Sequence, residues 1–170
     1  MALKLLLAGA LALMAKRRTA AEGDTTLSDP AFVAARDGFM PMHDAPIEPS
    51  WIVEGTPHAR ESVHSKGDDD ASVTALWDCT AGTFRWHFGW DETVVILAGE
   101  VHITAEDGSE RVLQAGDIAY FKAGTWATWR IDDYLRKVAF VRRPFPGLLV
   151  TAMKLKRALK GKEPQAGLAA

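Results

Sequence analysis

The chain has 170 residues, a length that favours a single domain of ordinary size. Apolar residues make up 48% of the composition and charged residues 25%, which excludes collagenous, wholly disordered and polytopic membrane proteins. The single cysteine, Cys79, excludes an internal disulfide and a four-cysteine zinc site. These figures are typical of a globular domain.

The formal net charge of −2 conceals an uneven distribution along the chain. Residues 1–18 carry four basic groups and no acid, and residues 148–162 carry five basic groups and no acid. The intervening residues 19–147 hold 11 basic and 21 acidic side chains, a balance of −10. Because an acidic body repels phosphate backbones, we expect no nucleic-acid partner. The two basic ends would be attracted to an anionic surface such as a membrane.

Residues 1–18 form an apolar and basic N-terminal segment whose role the sequence leaves open. An apolar run follows Lys4 and ends at the basic triplet Lys16-Arg17-Arg18. A signal peptide has a similar core, but small uncharged residues normally follow its cleavage site. The run is also shorter than the roughly 20 residues that span a bilayer. A packed helix, an interfacial anchor, a signal segment and a disordered end all remain open.

Residues 19–50 are predicted to form an arm that contains one short helix. Ser28-Asp29-Pro30 is typical of a helix start and would cap a helix over residues 31–36. Asp37-Gly38 would end that helix. The prolines that follow exclude a long helix, so the chain from Met40 is predicted to be extended, with Trp51-Ile52-Val53 as a short strand.

From Ala71 to Arg142, short β-branched and aromatic runs alternate with turn-forming residues. This pattern predicts strands at 72–79, 82–88, 92–98, 100–105, 110–113, 118–121, 125–131 and 135–141. Breaks are expected between them, including Thr80–Gly82, Gly99 and Asp132-Asp133. Since no helix intervenes, the sequence predicts an all-β fold, an antiparallel sandwich or barrel.

The C-terminal residues 146–162 are predicted to form a basic amphipathic helix, followed by a flexible tail over 163–170. Apolar residues at 148, 149, 152, 153, 155 and 159 have near-helical spacing, and basic residues lie at 154, 156, 157 and 160. The apolar stripe would pack on the barrel or on the N-terminal segment, or it would lie on an anionic bilayer.

The spacing of Glu92, Gly99, Gly116-Asp117 and Ala123-Gly124 resembles the two sequence motifs of the cupin superfamily. The strings at 77–86 and 91–101 are similar, more narrowly, to small single-domain cupins of the ureidoglycine aminohydrolase type. The resemblance covers residues 50 to 145. It implies an antiparallel double-stranded β-helix, the cupin jelly-roll barrel, over residues 51–145, with N-terminal and C-terminal helical extensions.

A metal-binding cupin supplies two histidines one residue apart, a glutamate a few residues later and a third histidine on a later strand. Neutral imidazoles and a carboxylate on neighbouring strands can then converge on one metal ion. In this sequence Arg85 and His87 precede Glu92, and the position of the third histidine falls on Ala127. Two of the four ligands are therefore absent, and we expect no metal and no other cofactor.

The candidate site residues follow from strand alternation, which places Arg85 and His87 on one face. With Glu92 and Trp129 they are predicted to line one interior cavity. Glu92 could instead form a structural salt bridge with Arg85. The candidate catalytic residues are Glu92 and His87, and the candidate ligand-binding residues are Arg85, Trp129, Tyr120 and Lys137.

We therefore expect a cupin-domain protein that binds a polar small molecule, of the carboxylate or ureido kind, with or without acid/base chemistry. One alternative is a metal-dependent enzyme resembling ureidoglycine aminohydrolase. Another is a non-catalytic accessory protein that is peripheral to an anionic membrane through its two basic ends. We expect a homodimer in the cytoplasm, with membrane association as the alternative location.

Overall fold

The computed structural model describes residues 31–160. The predictions for the N-terminal segment 1–18, for the cap at Ser28-Asp29-Pro30 and for the tail 163–170 lie outside the described residues. The described chain from Ala34 onward belongs to one compact unit.

Strands dominate the described residues, and every strand pair is antiparallel. The elements in chain order are β1 (His43–Asp44), a short 3-10 helix (Pro49–Trp51), β2 (Ile52–Gly55), β3 (Ala59–Lys66), β4 (Ser72–His87), β5 (Asp91–Ala105), β6 (Glu110–Gln114), β7 (Ile118–Phe121), β8 (Trp126–Arg142) and the helix α1 (Gly147–Lys160). The predicted all-β class and the predicted C-terminal helix are confirmed.

The long strand β8 lies between β4 and β5 and pairs with both along nearly its whole length. The first halves of β4 and β5 pair with the second half of β8, and β3 and β7 extend this first sheet on either side. The second halves of β4 and β5 pair with the first half of β8, and β2 and β6 extend this second sheet. Trp77 of the first sheet contacts Trp129 of the second, so the two sheets enclose one core.

Three strands pass from one sheet to the other at irregularities in their pairing. The register shifts between Thr80 and Gly82 in β4 and between Gly99 and His102 in β5. The sequence-based breaks at Thr80–Gly82, Gly99 and Asp132-Asp133 are therefore wrong, because six predicted strands are the halves of three continuous ones. A bulge bends a strand and increases its twist without ending it, so turn-forming residues at these positions do not separate two strands.

The short helix predicted at residues 31–36 is not present. Residues 32–36 have no regular secondary structure, although Asp37 and Gly38 do form the predicted turn. All of residues 31–36 are exposed. A helix this short is marginal in water unless an apolar face packs against a core, and none of residues 31–36 is buried.

A buried carboxylate on β4 connects β3, β8 and the arm on the outer face of the first sheet. Asp78 on β4 accepts hydrogen bonds from Arg60 Nε at 3.0 Å, from Tyr134 Oη at 3.0 Å and from Arg136 at 2.9 Å. Arg136 also donates to Asp37 at 2.7 Å, which holds the arm at this residue. Burial alone would raise the pKa of Asp78, but the hydrogen bonds from Arg60 and Tyr134 and the two guanidinium charges hold that pKa below its ordinary value.

We expect Asp78→Asn to lower the free energy of unfolding by about 2 kcal/mol at neutral pH, because it weakens charge-assisted hydrogen bonds. Since the pKa of Asp78 is depressed in the folded protein, its stabilisation is present above the unfolded value of about 3.9 and is lost as the pH falls below it. Urea denaturation at several pH values should therefore show that the free energy of unfolding falls less in acid for the variant than for the original protein. Asp68→Asn, at an exposed turn position, is the control and should change stability by less than about 0.5 kcal/mol.

Candidate functional site

The second half of β4 sends its aromatic residues inward and its polar residues outward. Phe84 and Phe88 are buried, and Trp86 packs against the core. Arg85 is exposed, and His87 is half-buried on the same outer face. The guanidinium of Arg85 lies 4.8 Å from the ring centroid of Trp126, outside the barrel.

The predicted interior position of Arg85 and His87 is therefore wrong. Alternation correctly groups these two residues on one face, but it does not decide which face is buried. The bulge between Thr80 and Gly82 exchanges the two parities within β4, so that Trp77 and Cys79 before it and Trp86 after it all reach the core. Trp86 and Phe88, which alternate with Arg85 and His87 along the chain, occupy the interior because the burial of apolar side chains is favourable.

Glu92 and Trp129 do lie inside the barrel. Trp129 is 1% exposed and shares the inward parity of Ala127, as the sequence predicts. The partner of Glu92, however, is Lys137 rather than Arg85: the Lys137 ammonium donates to Glu92 Oε1 at 2.5 Å. This ion pair joins β5 to the second half of β8, and both of its side chains are buried, with 11% of Glu92 and 5% of Lys137 exposed.

Aromatic rings surround the ammonium group of Lys137. Its Nζ lies 4.6 Å from the ring centroid of Trp129 and 5.0 Å from that of Trp77. A cation above an indole face is attracted by the negative face of the ring, more strongly when water is excluded. The two indoles and the Glu92 carboxylate together stabilise a charged lysine in an otherwise apolar interior.

Further aromatic contacts connect this interior with the end of the barrel. Trp77 contacts Trp86 with ring centroids 6.1 Å apart, and Trp51 contacts Trp86 at 5.7 Å. Trp51, at the end of the 3-10 helix, also contacts Trp126 at 5.3 Å on the outer side. One continuous group of indoles therefore extends from the outer surface to Lys137.

The interior holds hydrogen-bonding capacity that the described residues do not use. The indole Nε1 of Trp129 is buried and has no acceptor among the described residues. Lys137 carries three donors and gives one to Glu92, whose second carboxylate oxygen accepts no hydrogen bond from a described side chain. Buried donors are almost always paired, so an unpaired one next to an ion pair indicates a place for a ligand or a water molecule.

Tyr120, a candidate ligand-binding residue, lies outside the barrel and does not join the interior residues. Its ring is exposed on β7, and its hydroxyl donates to Asp91 at 3.0 Å. The neighbouring Ala119 and Phe121 take the inward positions of this short strand. The backbone N–H of Ala123 and the Arg142 guanidinium hold the pKa of Asp91 below its ordinary value. The hydrogen bond from Tyr120 to Asp91 is therefore a structural contact on the outer face.

The residues present do not fit the ligand set of a metal-binding cupin. The inward positions that precede Glu92 hold Trp86 and Phe88, and the later position holds Ala127. The described residues contain no group of three histidine, cysteine, aspartate or glutamate side chains placed to hold a metal ion. Burial raises the pKa of the Cys79 thiol to about 12, so it stays protonated. The Lys137 charge beside Glu92 would also repel a cation.

A concavity of about 420 Å³ opens on the outer face of the second sheet. Thr83, Thr128 and Arg130 contribute to its lining. Two of its charged groups already have a partner, since Arg130 and His102 both pair with Asp132, at 3.1 and 3.4 Å. This groove therefore resembles an ordinary solvated sheet surface, and the interior site does not.

Comparison with known proteins agrees with the geometry of the barrel. Residues 66–139 match the EutQ-like cupin domain family. The barrel is a cupin domain. The cupin domain is similar to a protein of unknown function of the DUF861 family from Pseudomonas syringae pv. tomato, with 21% identity and a TM-score of 0.57. That match covers 62% of this chain and 46% of the other, so the chain spans less than half the length of this relative.

Two further solved structures are similar to parts of this chain. A predicted oxalate decarboxylase from Thermotoga maritima has 13% identity and a TM-score of 0.52 over 65% of this chain and 99% of its own. A DUF861 family protein from Thermotoga maritima is 33% identical over 38% of this chain and 73% of its own, with a TM-score of 0.36. No curated protein sequence matches the chain. The cupin fold is thus shown, while the narrower resemblance to ureidoglycine aminohydrolases stays a prediction.

Proposed function

We propose that this protein binds a small polar metabolite inside the cupin barrel, at the Lys137–Glu92 ion pair. The observation that carries the proposal is the placement of the Lys137 ammonium against the rings of both Trp77 and Trp129, together with a buried Trp129 N–H that has no acceptor among the described residues. The site differs from the predicted one, because Lys137 replaces Arg85 as the cation and His87 lies outside.

The energetics of the pair support a role beyond stability. Removing two charges from water costs several kcal/mol per ion, and well-packed apolar residues often stabilise a core as well as a buried ion pair does. The surrounding interior is aromatic and aliphatic, so an apolar pair at these positions would be compatible with the fold. A charged pair is therefore better explained by recognition of a ligand.

The unused hydrogen-bonding groups define the chemistry of that ligand. Lys137 and the Trp129 indole offer donors, so the ligand supplies a carbonyl or carboxylate oxygen. Glu92 offers an acceptor, so the ligand also carries an N–H or O–H group. A planar carboxamide or ureido group meets both demands and fits beside indole faces, and a carboxylate meets them only together with a hydroxyl or amino group on the same ligand. Glu92 would then be the group that accepts a proton from the ligand, with Lys137 stabilising the charge left behind.

We expect saturable binding of N-carbamoylglycine, lactamide or glycolate, measured by calorimetry and by quenching of tryptophan fluorescence. The double variant Glu92→Gln with Lys137→Met should lose this binding, and Trp129→Phe should weaken it about fivefold because one hydrogen bond is removed. Arg85→Gln, on the outer face, is the matched control and should bind normally. The proposal is contradicted if no probe binds, or if the double variant binds as well as the original protein.

A further inference from the structure

The geometry points to helix α1 as a docking surface for an anionic membrane. The helix follows Pro144 and Pro146, which end the strand β8 and separate the helix from the sheet. Leu148 is 90% exposed and Leu155 is 62% exposed, although both belong to the apolar set that would pack on a core. The barrel does not cover them.

The exposed apolar residues share one side of the helix. Leu148, Ala152 and Leu155 follow the i, i+4, i+7 spacing that places residues on one face, and all three are exposed. Leu149 and Met153 lie beside this face, with Lys156 between them and it, and are about half exposed. An apolar helical face of this kind is unfavourable in water and calls for an occupant.

The charge of the helix decides which occupant it fits. Lys154 and Lys156 are exposed, and the sequence from 148 to 162 has five basic residues and no acidic one. A lipid surface with anionic headgroups accepts both features, because leucines enter the acyl boundary while lysine stems keep their ammonium groups at the headgroups. The described residues contain no helix long and apolar enough to cross a membrane.

The rest of the chain sets the strength and orientation of this contact. Residues 19–147 carry a balance of −10, so an anionic membrane repels the barrel and attracts the helix. The barrel is therefore held away from the lipid, with α1 towards it. A single short helix is a weak anchor, so binding is reversible and falls with ionic strength.

Sedimentation of the full-length protein with vesicles tests the proposal. We expect binding to vesicles made of equal parts phosphatidylserine and phosphatidylcholine at low salt, and little binding to pure phosphatidylcholine. Each basic residue near an anionic surface contributes about fivefold to partitioning, so Lys154→Glu with Lys156→Glu should weaken binding by about 25-fold or more. Lys66→Glu with Lys122→Glu is the matched control, because it makes the same charge change at exposed positions of the barrel, and it should weaken binding by less than about threefold.

A second variant tests the apolar contribution. Leu148→Ser with Leu155→Ser keeps every charge and should weaken binding to the mixed vesicles about tenfold or more. Since both residues are exposed, thermal unfolding should show an unchanged barrel. Equal binding to pure phosphatidylcholine at high salt, or an equal loss in the barrel control, would overturn the proposal. Self-association that requires the same lysines in the absence of lipid, measured by light scattering, would overturn it in favour of a second copy as the occupant.

Discussion

Replacing Lys137 with methionine should lower the free energy of unfolding by about 3–5 kcal/mol at neutral pH, the usual cost of leaving a buried charge without its partner. Glu92 would then lie in an interior whose other walls are indole and phenyl rings.

The double variant Glu92→Gln with Lys137→Met separates the cost of an unpaired charge from the value of the pair. Both charges are removed while the side-chain lengths are kept, so its stability should lie within about 1 kcal/mol of the original protein. Urea denaturation of the three proteins, followed by tryptophan fluorescence, measures both differences. If Lys137→Met alone were as stable as the original protein at neutral pH, Glu92 would be well solvated, and the ion pair would not be the buried site described above.

The strands and the fold class follow from sequence because they depend on local patterns. Turn residues and β-branched runs recur in register from Ala71 onward, and the spacing from Glu92 to Gly99 agrees with the cupin motif. The same patterns fail at Thr80–Gly82, where a bulge continues the strand. A bulge and a turn use similar residues, so their distinction depends on pairing with β8, which lies about fifty residues away in the chain.

The interior site depends on contacts between distant strands more than on local sequence patterns. Lys137 lies between apolar residues on β8 with the parity of Trp129, a signal that favours an interior position, but its partner could not be read from sequence. The contact with Glu92 spans 45 positions and depends on the pairing of β5 with β8. The sequence also favours the inward orientation of Trp86 and Phe88, since both are apolar and alternate with the polar Arg85 and His87. The burial of hydrophobic side chains, rather than the spacing of a sequence motif, decides which face of this strand points inward.

Gly99 offers the second large effect, because it combines a positive φ with a close approach of another strand. Its φ is +77°, and a Cβ placed on it would lie 1.8 Å from the carbonyl oxygen of Tyr134. This contact falls where β5 passes from one sheet to the other alongside β8. Gly99→Ala should therefore lower the free energy of unfolding by about 3 kcal/mol or more, since relieving the clash requires the two strands to separate.

Gly108 provides a matched control for that prediction, because its φ is +82° but a Cβ there would meet nothing within 4 Å. Gly108→Ala should cost only the backbone strain of about 1–2 kcal/mol. Urea denaturation of both variants measures the difference, which isolates the contact with Tyr134 from the effect of φ. Equal losses in the two variants would mean that the glycine is needed only for its backbone conformation. A larger loss at Gly99 would show that the close approach of β5 to β8 requires a residue without a side chain at this position.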